Sequence, residues 1–335
     1  ELAHALSEVF AAAESLGREF TEFEILTAAA FLLFRARRVE WAVLEVGMGG
    51  RWDATSVVDP QVSVITGVGL DHTDRLGTTR EAIAIDKSHV IKRGSLAVIG
   101  PGCEGVDHIF ESRATQMMSP YVLRVGVGAD PDVTWDIVRR PRTPGGTLTV
   151  DVHVHGVQTR RARLCAPSYQ APNIATAMAA VGAALWDTGH EDAADKIAKA
   201  LRFPGRFELL RDDPPLVIDG AHNPQAAEVL ATAIREAFGE RPPVVLLAVS
   251  ADKDAEGIIR ALAPVAHGFV VTENGSPRCM EAGALASIVE AVTGAAPVIE
   301  PALEVALLAA GMSWRGVVAT GSLYTAGAVR ALFVR

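Results

Sequence analysis

The second half of the chain alternates short apolar runs with helix-length segments, and this alternation restricts the fold more than any other feature. Apolar runs at 216–218, 244–249, 268–271, 297–299 and 316–319 are followed by helix-like stretches at 224–238, 254–263, 281–293, 302–311 and 324–333. A run too short for a helix, apolar throughout and followed by a helix, is the pattern of a strand buried on both faces. Five such units predict a doubly wound, Rossmann-like parallel sheet.

The first half reads as a second α/β body. Residues 1–16 and 22–37 carry apolar residues at three- and four-residue spacing, and Thr21 to Glu24 form a helix-start pattern. Strands are predicted at 41–46, closing on Glu45, at 62–68, leading into Asp71, His72 and Thr73, and at 96–99. A helix beginning near Thr79 carries Lys87 about two turns in, and another is predicted over 105–117. From about 120 to 165 the pattern changes to alternating β-rich stretches, read as a small antiparallel sheet attached to the parallel one. Helices follow at 170–186 and 190–201, and Phe203-Pro204-Gly205-Arg206 breaks the pattern. Two domains are expected, 1–204 and 205–335.

Composition narrows the function classes. Of 335 residues, 49% are hydrophobic and 21% charged, ordinary for a globular chain, and the net charge of −9 with no dense Lys/Arg cluster argues against nucleic acid. The three cysteines are odd in number and widely spaced, which fits a reducing compartment without a disulfide frame or zinc site. Neither a signal peptide nor an apolar run of about 18 residues is visible, so no membrane partner and a cytoplasmic location are expected.

Several residues can carry chemistry, and each also has an ordinary structural reading. Glu45 at the end of an apolar strand is a helix cap or ion-pair member on its own, and His72 a hydrogen-bonded strand end. Together, with a glycine turn between them and Asp71 alongside, they suit a hard cation such as magnesium, which takes few protein ligands and keeps water and phosphate oxygens. Lys87 by itself is a solvated helix residue. Asp219-Gly220-Ala221-His222-Asn223-Pro224 is either plain helix-start grammar or a positive helix end facing a nucleotide phosphate, with Asp219 near ribose hydroxyls. Arg206 reads equally as an interdomain ion pair or a phosphate ligand. No Gly-Lys pair occurs anywhere, and the glycine run 47–50 has the wrong spacing for a phosphate or dinucleotide loop.

Taken in order, these stretches resemble the folylpolyglutamate synthase and dihydrofolate synthase family, within the Mur-type amide ligases. The resemblance rests on Thr21 to Ala28, Glu45 to Thr55, Gly69 to Thr73 with Leu76-Gly77, Phe203 to Arg206, Asp219 to Pro224, Asp252 to Asp254, Ser276 to Arg278 and Gly321 to Tyr324. It implies an ATP-dependent reaction in which a folate or dihydropteroate carboxylate is phosphorylated and the amino group of L-glutamate displaces phosphate to form an amide. By similarity Glu45 and His72 hold Mg2+, and Lys87 is the lysine carbamylated by carbon dioxide. Gln170 and Asn173 match the adenine-side helix, Asp219 the ribose contact, and Arg206 and His222 the phosphate contacts. The active site is expected between the two domains of a monomer.

The sequence departs from the family pattern in three places. Asp-Ala-Thr-Asn becomes Asp53-Ala54-Thr55-Ser56, and Glu-Lys-Ala-Gly becomes Asp86-Lys87-Ser88-His89. The family's Thr-Asn-Gly-Lys-Gly-Ser loop and its pterin-facing loop are absent from these 335 residues. The expectation is a ligase whose P-loop-type central domain is truncated, with little ATP turnover from this chain alone. The alternatives are a non-catalytic or truncated paralogue that binds folate or nucleotide, or a Mur-type ligase acting on another carboxylate.

Overall fold

The computed structural model describes residues 1–71, 73–156, 159–185 and 203–334. The chain divides into two compact units. One comprises 1–134, 154–156 and 175–189, the other 135–153, 157–174 and 190–335. The helix expected over 190–201 and the metal candidate His72 lie outside the described residues.

The first unit opens with α1 (Leu2–Leu16) and α2 (Glu22–Arg37). Thr21 starts α2 with a reciprocal cap: its hydroxyl accepts from Glu24 N at 3.3 Å, and Glu24 Oε2 accepts from Thr21 N at 2.7 Å. This satisfies two backbone donors that a helix start leaves open. Beyond it, β1 (Val62–Gly67), β2 (Leu96–Gly102) and β3 (Val122–Arg124) form a parallel sheet in that order. The short α3 (Thr73–Leu76) and α4 (Arg80–Lys87) follow β1, and α5 (Asp107–Gln116) follows β2. Ile65, Ile99, Ile83 and Phe110, one from each of β1, β2, α4 and α5, meet in one buried cluster. Fully burying each such side chain contributes about 1.5–3 kcal/mol.

Two expectations fail here. Residues 41–46 do not form a strand: β1 is hydrogen-bonded to β2 alone, no ladder reaches 41–46 among the described residues, and Val43 stands 97% exposed. Apolar content alone does not make a strand, because the backbone groups need a neighbour. The run at 120–126 supplies β3, which is parallel to β2 and belongs to the first sheet. The antiparallel sheet is the later trio β4 (Val133–Arg139), β5 (Thr147–Val154) and β6 (Arg160–Cys165), in that spatial order. Leu148, Val150 and Val152 of β5, with Ala162 and Leu164 of β6, form its buried face, as period-two alternation requires.

After α6 (Ala171–Ala184), the second unit builds a six-stranded sheet. Its chain order is β7 (Glu208–Asp212), β8 (Pro215–Ile218), α7 (Pro224–Phe238), β9 (Val244–Leu247), α8 (Ala255–Leu262), β10 (Gly268–Val271), α9 (Ala282–Thr293), β11 (Val298–Ile299), α10 (Leu303–Gly311), β12 (Val317–Thr320) and α11 (Leu323–Phe333). The strands lie in the order β11-β10-β9-β12-β8-β7, all parallel except β7, which pairs antiparallel with β8. Every residue of β9 and β12 is buried, the continuous apolar signature of a strand covered on both faces. The five expected strand-helix units are present. Strand β7 is an addition that its polar sequence, Glu208 to Asp212, concealed.

Cys103 closes the carboxyl end of β2 and is fully buried, and burial pushes its thiol up to about 12. It is therefore a neutral thiol, whereas Cys165 is exposed. At about pH 8 a maleimide is expected to label Cys165 in the folded chain and to reach Cys103 only after denaturation, as followed by peptide mass spectrometry. Equal labelling of both in the folded chain would contradict this packing.

Candidate functional site

In the second unit, β8 ends at Ile218 and the next residue, Asp219, is 5% exposed. Three donors hold its carboxylate. Oδ2 accepts from Phe207 N at 2.8 Å and from the Tyr169 hydroxyl at 3.2 Å, and Oδ1 accepts from Ala221 N at 2.8 Å. Burial pushes the Asp219 carboxyl up, opposed by these donors and by the charge of Arg206. Burial also raises Tyr169, with the Asp219 charge adding to it.

These bonds shape the turn that carries Arg206. Gly205 N donates to Glu208 Oε2 at 2.9 Å, Arg206 N to Phe203 O at 3.0 Å, and Gly220 N to Gly205 O at 2.8 Å. The Arg206 guanidinium lies over Gly220: a Cβ there would come within 2.8 Å of Arg206 Nη1 and would strike Leu323. Arg206 is exposed and lines a groove of about 430 Å3 together with Phe203, Phe207, Glu208, Cys165 and Arg330.

His222 follows on the same loop. Its Nδ1 lies 2.9 Å from Gly220 O, and because a carbonyl only accepts, Nδ1 carries the proton and Nε2 is left for a ligand. Asn223 caps α7 through Oδ1 accepting from Ala226 N at 2.8 Å, with Pro224 in the first turn. The free N–H groups and positive dipole of this 15-residue helix thus begin directly after His222. Gln170 is buried, and its Oε1 accepts from Asn173 Nδ2 at 2.9 Å.

The first unit holds the other candidates. Glu45 is exposed and precedes the glycine turn 47–50. Asp53 shapes that turn: Oδ2 accepts from Gly47 N and Met48 N, both at 3.0 Å, and Oδ1 from Thr55 N at 2.9 Å and Thr55 Oγ1 at 2.6 Å. The turn packs on the end of α4, where a Cβ at Gly50 would sit 2.9 Å from Lys87 O. Lys87 is half-buried at the last position of α4, and no ion pair of it occurs among the described residues. Arg80 binds the strand ends, donating from Nε to Val68 O at 3.0 Å and from Nη2 to Gly102 O at 3.3 Å and Glu104 O at 2.9 Å. Among the described residues no cluster of three or more His, Cys, Asp or Glu is placed to hold a metal.

The structure therefore gathers Gln170, Asn173, Arg206, Asp219 and His222 within one unit, and sets the turn after Glu45 against Lys87. Three residues that shape these sites were given no role in the sequence reading: Tyr169, Arg80 and Asp53. Asp53 had a detectable signal, since Asp followed two residues later by Thr is an Asx-turn pattern. Nothing local marked Tyr169, whose partner lies fifty positions away.

Comparison with known proteins agrees with this architecture. Residues 2–181 match the Mur ligase middle domain and residues 205–323 the Mur ligase glutamate ligase domain. The dihydrofolate synthase/folylpolyglutamate synthase of Mycobacterium tuberculosis is 35% identical over 351 aligned residues, covering 95% of this chain and 70% of that relative. The chain belongs to the folylpolyglutamate synthase and dihydrofolate synthase family. A folylpolyglutamate synthase from Mycobacterium tuberculosis, solved with ADP and AMPPCP, superposes at a TM-score of 0.85 and 34% identity over 100% of this chain and 79% of that one. The bifunctional enzyme from Yersinia pestis, complexed with AMPPNP and Mn ion, gives 0.80 at 26% identity over 99% and 75%. The family's mixed α/β architecture, a parallel sheet with a small antiparallel one, is thus shared.

The Asp219 bracket predicts a large cost for a nearly isosteric change. Asp219→Asn keeps one acceptor but turns an NH2 toward backbone or hydroxyl donors, so a loss of about 2–4 kcal/mol is expected, read as a lower urea midpoint. An unchanged midpoint would remove Asp219 from this role.

Proposed function

We propose that this chain acts as an ATP-dependent ligase that joins L-glutamate to a folate or dihydropteroate carboxylate. The observation carrying this reading is Arg206 beside Gly220, with His222 on the same loop directly before α7, in a chain that superposes along its length on an ADP-bound family member. The alternatives, a binding paralogue or a ligase for another carboxylate, gain no support from relatives that are themselves named as folate ligases.

In this reading the substrate carboxylate attacks the γ-phosphorus of ATP, the bridging P–O bond breaks, and ADP leaves. The glutamate nitrogen then attacks the acyl carbon, forming the C–N bond while the C–O bond to phosphate breaks and the amine loses a proton. Negative charge builds on the phosphoryl oxygens, so donors fixed in advance lower the barrier. Arg206 supplies a guanidinium held by the 203–208 turn, and His222 supplies Nε2 with its tautomer set by Gly220 O. Asp219 acts through the turn that it braces. Gln170 and Asn173, linked to each other, flank the adenine side.

A divalent cation fits the first unit on donor chemistry. Glu45 is an exposed hard-oxygen donor beside a glycine turn, and magnesium takes few protein ligands and retains water. Glu45 and His72 would hold it, and the ion would supply charge neutralisation at the transferring phosphoryl group. Lys87, half-buried and at the end of α4, is the position proposed for carbamylation.

The test is incubation with ATP, L-glutamate and either tetrahydrofolate or dihydropteroate, with product identity read by mass spectrometry. Product identity is the readout. One acceptor is expected to gain a single glutamyl residue with release of ADP. ADP release with both acceptors unchanged would overturn the reading.

A further inference from the structure

We propose that the groove between α4 and α5 binds a small oxyanion, a carboxylate or a phosphate. It has a volume of about 350 Å3, at the small end of the range for ligand pockets. One wall is the face of α5 that carries His108, Ser112, Arg113 and Gln116, residues spaced at i, i+4, i+5 and i+8 and so on one side of the helix. The other wall comes from the end of α4 and the turn after it, with Ser88 and His89. Ile85 and Ile109 add apolar lining, and no carboxylate lines the groove among the described residues.

Arg113 is half-buried and lines the groove. Its Nε has no hydrogen-bond partner, the one buried side-chain nitrogen or oxygen in that state among the described residues. A buried guanidinium N–H without an acceptor costs free energy that a native structure ordinarily recovers from a partner. An oxyanion is the acceptor that a guanidinium binds most strongly.

His89 complements it from the facing wall. Its Nδ1 donates to Ile85 O at 2.9 Å, which leaves Nε2 as the ring atom open to a ligand. That nitrogen accepts from the hydroxyl of hydrogen phosphate when neutral and donates to a carboxylate when protonated. Ser112 and Gln116, themselves 3.5 Å apart, add a hydroxyl and an amide. Ser88, which lines the groove, directly follows Lys87, so an occupant would bear on the turn that ends α4.

Calorimetric titration of the full chain with inorganic phosphate and, separately, with succinate, at constant ionic strength, tests the proposal. Saturable one-site binding with a Kd on the order of 1 mM is expected for at least one of them. Saturation by phosphate alone, or by succinate alone, assigns the source of the oxyanion. Arg113→Gln and His89→Gly should each weaken it about tenfold, whereas Arg206→Gln, in the other unit, should leave it intact. If Arg113→Gln does not fold, His89→Gly carries the comparison. No saturation with either probe, binding indifferent to His89 and Arg113, or binding abolished by Arg206→Gln would each overturn the site.

Discussion

The second unit depends on one buried carboxylate. Asp219 ties its own loop, through Ala221 N, to two other segments: the 203–208 turn through Phe207 N and the 168–170 turn through the Tyr169 hydroxyl. Phe207 sits at φ 48°, a left-handed conformation that a non-glycine residue reaches at a cost of about 1–2 kcal/mol. The bond from its N–H to Asp219 offsets part of that cost and fixes where the preceding residue, Arg206, projects. A desolvated carboxylate is expensive, and here it is stabilised by donors, not by a paired cation in direct contact.

The first unit uses the same device at its own glycine turn. Asp53 gathers the N–H groups of Gly47, Met48 and Thr55, and the turn settles onto the end of α4 where Gly50 admits the backbone of Lys87. Arg80 does the converse with three carbonyls at the ends of β1 and β2. In both units a charged side chain satisfies loop backbone groups that no ladder reaches, so the loops that present Glu45 and His222 are held without regular secondary structure. The positions of Arg206 and His222, and of the turn after Glu45, are thus set by neighbouring charged side chains.

How much of this could be read from the sequence follows from which forces are local. The strands and helices after residue 215 were legible because burial on both sheet faces leaves uninterrupted apolar runs and helix starts such as Asn223-Pro224 are chemical signals. The strand expected at 41–46 was misread because strand formation depends on a partner, which its own residues cannot reveal. Strand β3 was placed in the wrong sheet because three residues of alternating pattern do not distinguish parallel from antiparallel neighbours. Arg206 and His222 were legible as motif residues, yet the Asp219–Tyr169 bond connecting their supports spans fifty positions and leaves no trace in the pattern.

The central claim is that the Asp219 bracket presents Arg206 to nucleotide phosphate. Its most direct test is calorimetric titration of the chain with ADP and with AMP, with and without Arg206→Ala. The account predicts that the native chain binds ADP at least about tenfold more tightly than AMP, as expected for a charge-assisted contact to the β-phosphate, and that Arg206→Ala brings the two affinities together. Equal affinities in the native chain, or a preference for ADP that survives Arg206→Ala, would contradict it.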